Sequence, residues 1–330
     1  MKVCRPALDD TFLCLAGDCP DTCCAGWILP IDEKSTVRYQ SMTGPWGDRL
    51  RRSMVQTEEG WQFRQENGRC CLLNEKGLCN LYAEQGWDAL CNTCQLHPRF
   101  VIVYGGLREI MPGLSCPAWS EKWLMQEGTA AFITEQTEEP PQMNTIDGAL
   151  FYHLMKGRTA AIEIAQRRDM PILQRMATIL ELAEKWDGVS ETEPVHGRAW
   201  PVYRRKLQGL EILTEQWRER LAAPQKRAIQ PWRDLVCEQL LVYYLFRFWL
   251  FGVYDGRVLP WAKFALWSVL VICQVGAGDA SREQFCETAR LYAKEVEHNA
   301  EHISALHRVM CRRTGYYSAQ GVRQAWEELK

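Results

Sequence analysis

Cys14-Leu-Ala-Gly-Asp-Cys19-Pro-Asp-Thr-Cys23-Cys24-Ala-Gly-Trp27 puts four thiols into eleven residues, among glycines. Thiolates are soft donors that suit zinc and iron–sulfur clusters. If residues 18–24 are helical, Cys19 and Cys23 share a face at i, i+4. Adjacent Cys23 and Cys24 point in different directions, so the two are not expected to bind the same iron. Working outward, three more sets follow: Arg69-Cys70-Cys71-Leu-Leu-Asn-Glu-Lys-Gly77-Leu-Cys79, Leu90-Cys91-Asn-Thr-Cys94-Gln-Leu-His97-Pro98-Arg99, and Leu114-Ser-Cys116-Pro117. With Cys4, eleven of the 15 cysteines lie in the first 116 residues. The other four, Cys237, Cys273, Cys286 and Cys311, sit in apolar or helical sequence and read as small buried hydrophobes.

Fifteen cysteines in 330 residues are too sparse for a disulfide scaffold, and the number is odd. In a reducing compartment such a cluster means metal or catalysis more often than disulfides. Zinc sites favour paired C-x₂₋₄-C knuckles, with four ligands sufficing. Here the spacings are uneven and the sulfurs exceed four. Cys116-Pro117 also matches the Cys-Pro step of cluster-binding runs. Iron–sulfur is favoured over zinc, which stays open.

The rest of the chain looks ordinary. It is 47% apolar and 24% charged, as globular proteins are. Its 14 tryptophans predict thick helix–helix packing. A net charge of −2 lacks the basic footprint that nucleic-acid binding needs. The opening Met1-Lys-Val-Cys-Arg-Pro-Ala-Leu-Asp-Asp10 has no apolar leader. The apolar run 235–251 is interrupted by Glu238, Gln239 and Arg247, and 261–275 falls short of the roughly 20 residues a span requires. No membrane span and a cytoplasmic location are expected.

Residues 1–120 are glycine-rich with weak helical periodicity. Short helices are predicted near 32–42 and 83–94, and a strand over 100–104 before the Gly105-Gly106 turn. Metal would staple so irregular a segment. Beyond it, helices are predicted near 118–137, 146–168, 170–187, 199–222, 230–252, 259–275, 280–298, 300–313 and 318–329. Breakers such as Pro140-Pro141, Gly188 and Pro224 separate them. The fold class is mainly α: an irregular cysteine-rich metal-binding region, 1–120, followed by a multi-helix domain, 121–330.

These residues resemble the flagellin lysine-N-methylase family of bacteria. The likeness lies in Phe12-Leu-Cys14 through Cys19-Pro-Asp-Thr-Cys23-Cys24-Ala-Gly-Trp27-Ile-Leu-Pro-Ile31-Asp32. It continues in Arg69-Cys70, Leu73-Asn74, Gly77-Leu-Cys79, Thr93-Cys94, His97-Pro98-Arg99 and Leu114-Ser-Cys116-Pro117. The resemblance implies an S-adenosylmethionine-dependent enzyme that methylates surface lysines of flagellin and carries a cysteine-bound [4Fe–4S] cluster. It marks Cys14, Cys19, Cys23, Cys24, Cys70, Cys79, Cys94 and Cys116 as metal-ligand candidates. Cys71, Cys91 and Cys4 correspond less securely.

Methyl transfer leaves little trace in the residues themselves. No G-x-G-x-x-G follows a strand, and Val101-Ile-Val-Tyr-Gly105-Gly106 reads as a plain turn. The radical spacing C-x₃-C-x₂-C fails, because position 26 is Gly. Direct transfer needs a neutral amine, a sulfonium held in line and an apolar channel for the lysine stem. Trp27, Trp61, Trp87, Tyr104 and Trp119 read as packing before channel. Asp18, Asp21, Asp32 and Glu109 read as solvated or turn-capping groups. His97-Pro98-Arg99 reads as a turn with Arg99 paired to an acid, and His298, His302 and His307 as a solvated helix face. No motif marks a catalytic or cofactor-binding residue. Two other readings stand beside methylation: a zinc or iron–sulfur structural or adaptor protein, and an iron–sulfur redox enzyme.

Overall fold

Caps and breakers set most of the element boundaries. The computed structural model describes residues 1–142, 146–223 and 233–328. In chain order the N-terminal part comprises β1 (Lys2–Pro6), α1 (Glu33–Ser41), α2 (Gly44–Ser53), β2 (Met54–Thr57), β3 (Gly60–Phe63), β4 (Gln65–Glu66), β5 (Arg69–Cys70), α3 (Asn80–Gln85) and α4 (Asn92–Leu96). Then come β6 (Arg99–Tyr104), β7 (Leu107–Pro112), α5 (Pro117–Leu124) and β8 (Phe132–Gln136). Helices follow: α6 (Gly148–Ala165), α7 (Ile172–Asp187), α8 (Trp200–Gln208), α9 (Glu215–Ala222), α10 (Arg233–Phe248), α11 (Gly252–Asp255), α12 (Leu259–Val275), α13 (Arg282–Val296), α14 (Ala300–Met310) and α15 (Ala319–Glu327). The protein is mainly α, as the periodicity predicts, with an irregular cysteine-rich N-terminal part.

Strand β1 lies inside a four-stranded sheet of order β6-β7-β1-β8. It runs parallel to β7, with Lys2 opposite Leu107, and antiparallel to β8, with Lys2 opposite Gln136. Its burial alternates, so Cys4 faces the core.

Apolar side chains gather in two cores. The small one holds Cys24, Leu29, Ile31, Tyr39, Leu50, Met54, Phe63, Cys70, Leu72, Leu81, Leu90 and Cys91. The large one joins the four-stranded sheet and α5 to the helices from α6 onward. At its centre α10 packs on α12, and α12 is buried on every face. Their ionic groups are paired: Glu238 with Arg175 at 2.7 Å, Lys263 with Glu191 at 2.8 Å, and Arg247 with Glu297 at 3.7 Å. Buried charge persists only when matched in this way. The segments Arg233–Asp255 and Leu259–Gly278 are long and apolar enough to cross a membrane, and 94% of each apolar window is buried inside the fold.

Several boundaries differ from expectation. The helix expected over 118–137 is α5 followed by strand β8. Gly128 lies between them, and Phe132-Ile-Thr carries two β-branched residues that favour a strand. The helix expected over 199–222 is two, because Gly209 ends α8 and the Thr214 side chain caps α9 by accepting from the Trp217 N–H. The helix expected over 83–94 is broken by Gly86 at φ 80°, which ends α3 and leads into a short 3₁₀ turn before α4. Pro224, the first residues of the helix expected over 230–252, and residue 329 lie outside the described residues.

Candidate metal centre

The loop carrying the first four thiols is held at three points. A 3₁₀ turn over Ala16–Asp18 follows Cys14, whose sulfur accepts from the Ala16 N–H at 3.4 Å. Cys19 then leaves in an extended conformation, so the helical i, i+4 relation of Cys19 and Cys23 is not formed. Asp21 anchors the loop to α13: its carboxylate accepts from Lys294 Nζ at 2.8 and 3.0 Å and also from Arg290. Beyond it, the Cys24 carbonyl accepts from the Cys70 N–H at 2.9 Å and the Gly68 carbonyl from the Gly26 N–H at 2.8 Å. Gly26 turns there at φ 85°, a region that favours glycine. Cys24 and Cys70 therefore lie side by side in the small core.

The remaining thiols arrive on short elements. Cys79 sits opposite Leu73 in an isolated bridge and leads into α3, while the Leu73 N–H donates to the Cys70 carbonyl at 3.0 Å. Asp32 does two jobs. One oxygen caps α1 by accepting from the Ser35 N–H at 2.9 Å; the other accepts from the Asn92 N–H at 2.8 Å. It thereby fixes the turn carrying Cys91 and Cys94, whose sulfurs are 3.6 Å apart. Cys116 directly precedes α5 and packs against the large core. Cys4, in β1, feels Glu109 and Arg158.

Crowding governs the chemistry of these sulfurs. A hydrogen bond with Cys23 and then burial raise the Cys24 thiol, with Cys94 and Cys79 adding to the effect, while the same bond lowers Cys23. Cys94 is raised in the same way by Cys91, and Cys70 by Cys71; Cys71 is lowered to about 6 by its bond with Cys70. Burial raises Cys19 and Cys79, and Cys116 to about 11. Thiols that suppress one another's ionisation are stabilised as thiolates by a bound cation. In donor type and crowding the eight candidate thiols suit a thiophilic metal group. None of the cysteines forms a disulfide. Among the described residues no three His, Cys, Asp or Glu side chains converge closely enough to hold a single metal ion.

The loop meets α13 through Asp21. Cys23 and His298 are reached by solvent, yet protein surrounds each on most sides. A line of rings forms one wall: Trp27 stacks on His97 at 5.5 Å, His97 on His298 at 5.8 Å, and His298 meets Phe100 at 4.9 Å. The Arg247 guanidinium lies 3.5 Å from the Phe100 centroid. Ser115 Oγ and His298 Nε2 are 2.6 Å apart. Enclosure by protein holds His97 at about 4. It also lowers His298 to about 3, helped by His97, Arg247 and Lys294, so both imidazoles are neutral near pH 7.

Other expected roles are resolved one by one. Arg99 does pair with an acid, Asp9, at 2.8 Å. Glu109 is neither solvated nor a turn cap but buried against Arg158, and Trp119 is core. Asp18 is exposed. The histidines do not form one solvated face: His298 is exposed, but His302 is buried with Nδ1 2.7 Å from the Glu295 carbonyl, and His307 stacks on Trp261 at 3.9 Å. Cys237, Cys273 and Cys286 are buried as read, and Cys311 is half-buried. Arg290 and Lys294 escaped the sequence reading. They are some 270 positions from the loop they meet, on a helix whose pattern shows only amphipathicity.

The fold and the site define a mainly α protein whose cysteine-rich lobe sets its thiols beside a helical platform. Two curated proteins similar to it are lysine-N-methylases of Salmonella typhimurium and Salmonella choleraesuis. Each is 25% identical over 156 residues, covering 44% of this chain and 38% of the relative. The flagellar biosynthetic protein FliU of Salmonella muenchen is 27% identical over 128 residues, covering 36% of this chain and 73% of the relative. The match thus spans under two-fifths of the length of the lysine-N-methylases. No protein-family description matches the chain, and no solved structure matches it.

Proposed function

We propose that the chain is an S-adenosylmethionine-dependent protein-lysine methyltransferase acting on flagellin in the cytoplasm, with a thiolate-bound [4Fe–4S] cluster in its cysteine-rich lobe. The observation that carries this reading is the 156-residue likeness to lysine-N-methylases. The crowded thiols support the cluster. A tetrahedral zinc with bonds of about 2.3 Å needs its four sulfurs about 3.8 Å from one another. Cys23–Cys24 at 3.8 Å and Cys91–Cys94 at 3.6 Å reach that spacing as isolated pairs. A multi-iron group with wider sulfur spacing suits the lobe better.

When bound, the cluster would bring soft-metal cross-linking to loops that have little regular structure of their own. Cys24, Cys70, Cys79 and Cys94 would hold it from the small core. The chain's own residues would act on the substrate amine. Lysine attacks a sulfonium only through a neutral nitrogen, and an enclosed site favours that form. The wall of Trp27, His97, His298 and Phe100 offers enclosure by rings that carry no charge near pH 7. Arg247 and Lys294 nearby add positive potential that further disfavours an ammonium.

Incubating the purified protein with flagellin and methyl-labelled S-adenosylmethionine tests the reading. Label on flagellin lysines is expected. Protein with its metal intact that leaves every lysine unlabelled would refute it.

A further inference from the structure

Arg247 of α10 is almost wholly buried, and its charge is only half answered. A guanidinium carries five N–H donors in a planar fork. The Arg247 Nε is shut off from solvent with no hydrogen-bond partner among the described residues. Its ion-pair partner, Glu297, stands 3.7 Å away, beyond hydrogen-bonding distance. The Glu297 oxygens instead accept from the Tyr243 and Tyr244 hydroxyls at 2.6 and 3.0 Å. Phe100 covers the guanidinium at 3.5 Å from the ring centroid, which leaves its edge without an acceptor. Beside it lies a cavity of about 10 Å³ between α10 and the sheet, lined by Phe100 and Ile102 of β6, Glu109 and Met111 of β7, and Phe246 and Arg247. Glu109 is already matched by Arg158, and the other walls are apolar. Tyr104, two residues past Ile102 and so on the same face of β6, also has a buried hydroxyl with no partner among the described residues. Buried donors without acceptors mark the place of a missing acceptor.

We propose that Arg247 anchors the carboxylate at the methionine end of S-adenosylmethionine, with one carboxylate oxygen entering the cavity between α10 and β6–β7. Resting on the methyltransferase reading above, this names the residue that would hold one end of the cofactor. A carboxylate is planar, and a guanidinium edge matches it with two parallel N–H donors. The cavity has room for about one water or one oxygen, so it suits the tip of a carboxylate and not the adenosyl group. Phe100 and Ile102 are half-buried, so solvent reaches the cavity from the β6 side. From Phe100 the line of rings runs outward through His298 and His97 to Trp27, away from the anchor. A water in the same place would satisfy one donor and leave the positive charge half matched.

Calorimetric binding of two probes to the purified full chain tests this without any assay of methylation. S-adenosylmethionine and its decarboxylated form differ only in the carboxylate. The unaltered protein should bind the carboxylated probe about 10- to 100-fold more tightly, as a charge-assisted hydrogen-bonded pair gives. Arg247→Met should bind both probes with the same weak affinity, and Arg247→Lys should keep part of the preference. Equal affinity of the unaltered protein for the two probes would overturn the anchor, and lysine labelling of flagellin by that same protein would leave the methylase reading standing. A preference that survives in folded Arg247→Met would show that the cavity holds water only. Binding of neither probe would overturn the anchor and the cofactor reading together. The two-probe comparison on the unaltered chain decides even if a variant fails to fold.

Discussion

Lys294 Nζ stands 2.8 Å from Asp21 Oδ2, joining the first cysteine loop to a helix 273 residues away in sequence. Arg290 reaches the same carboxylate from one turn earlier on that helix. Both partners draw the Asp21 carboxyl below its usual range against the cost of its partial burial. Asp21→Ala should therefore cost about 1–3 kcal/mol, as loss of a partner to enclosed charged groups does. Hydrogen exchange should speed up across 14–24 while α10 and α12 keep their protection. Unchanged exchange in the loop would show that Asp21 does not anchor it.

A second ion pair is deeper. Arg158 Nη1 donates to Glu109 Oε2 at 2.7 Å, with both side chains almost wholly buried, and also to the Phe246 carbonyl at 3.1 Å. Breaking such a pair strands a charge. Glu109→Ala should cost about 3–5 kcal/mol in a urea titration. A loss under 1 kcal/mol would mean that water reaches the guanidinium.

The two lowered imidazoles predict a pH dependence. His97 has a folded value of about 4, against roughly 6.5 when unfolded. Between these values the unfolded chain takes up a proton that the folded chain refuses, so stability should fall as pH drops from 6.5 to about 4. The His298 imidazole beside it, also lowered, acts in the same direction. His97→Phe keeps a ring against Trp27 and removes one titrating group. Its melting temperature should decline less between pH 7 and pH 5; an identical slope would rule His97 out as a source.

Gly321 in α15 admits no side chain. A Cβ there would lie 2.4 Å from the Gly315 carbonyl oxygen and 2.7 Å from the Tyr316 backbone. Backbone yields less readily than a flexible side chain, so Gly321→Ala should cost about 1–3 kcal/mol. Thermal melting of the purified variant checks this, and a melting temperature equal to that of the parent would show that the turn can shift.

Local signals marked the helices well. Helices α7 and α12 end within a few residues of expectation, because Gly188 and Gly276 follow long apolar patterns and stop them. The Phe100–Tyr104 strand was marked by its β-branched run before two glycines. The strand β8 was hidden, since Phe132–Gln136 takes its partner from residues 2–6 rather than from its own neighbourhood. The thiols declared themselves by type and number; that Cys24 and Cys70 share the small core while Cys116 packs on the large one depends on which core each loop meets, and no spacing encodes that. His298 looked like one more polar position on a helix, and only the arrival of His97, Phe100 and Ser115 makes it part of a wall.

The sheet order carries a timing consequence. β1 sits between β7 and β8, so during synthesis this strand has no bonding partner until residue 107 has emerged and no second one until about residue 136. The Asp21 anchor waits longer, for residues 290–294. A nascent chain thus carries the loop bearing Cys14, Cys19 and Cys23 without its Asp21 anchor until those later residues have emerged, long after the loop itself is made.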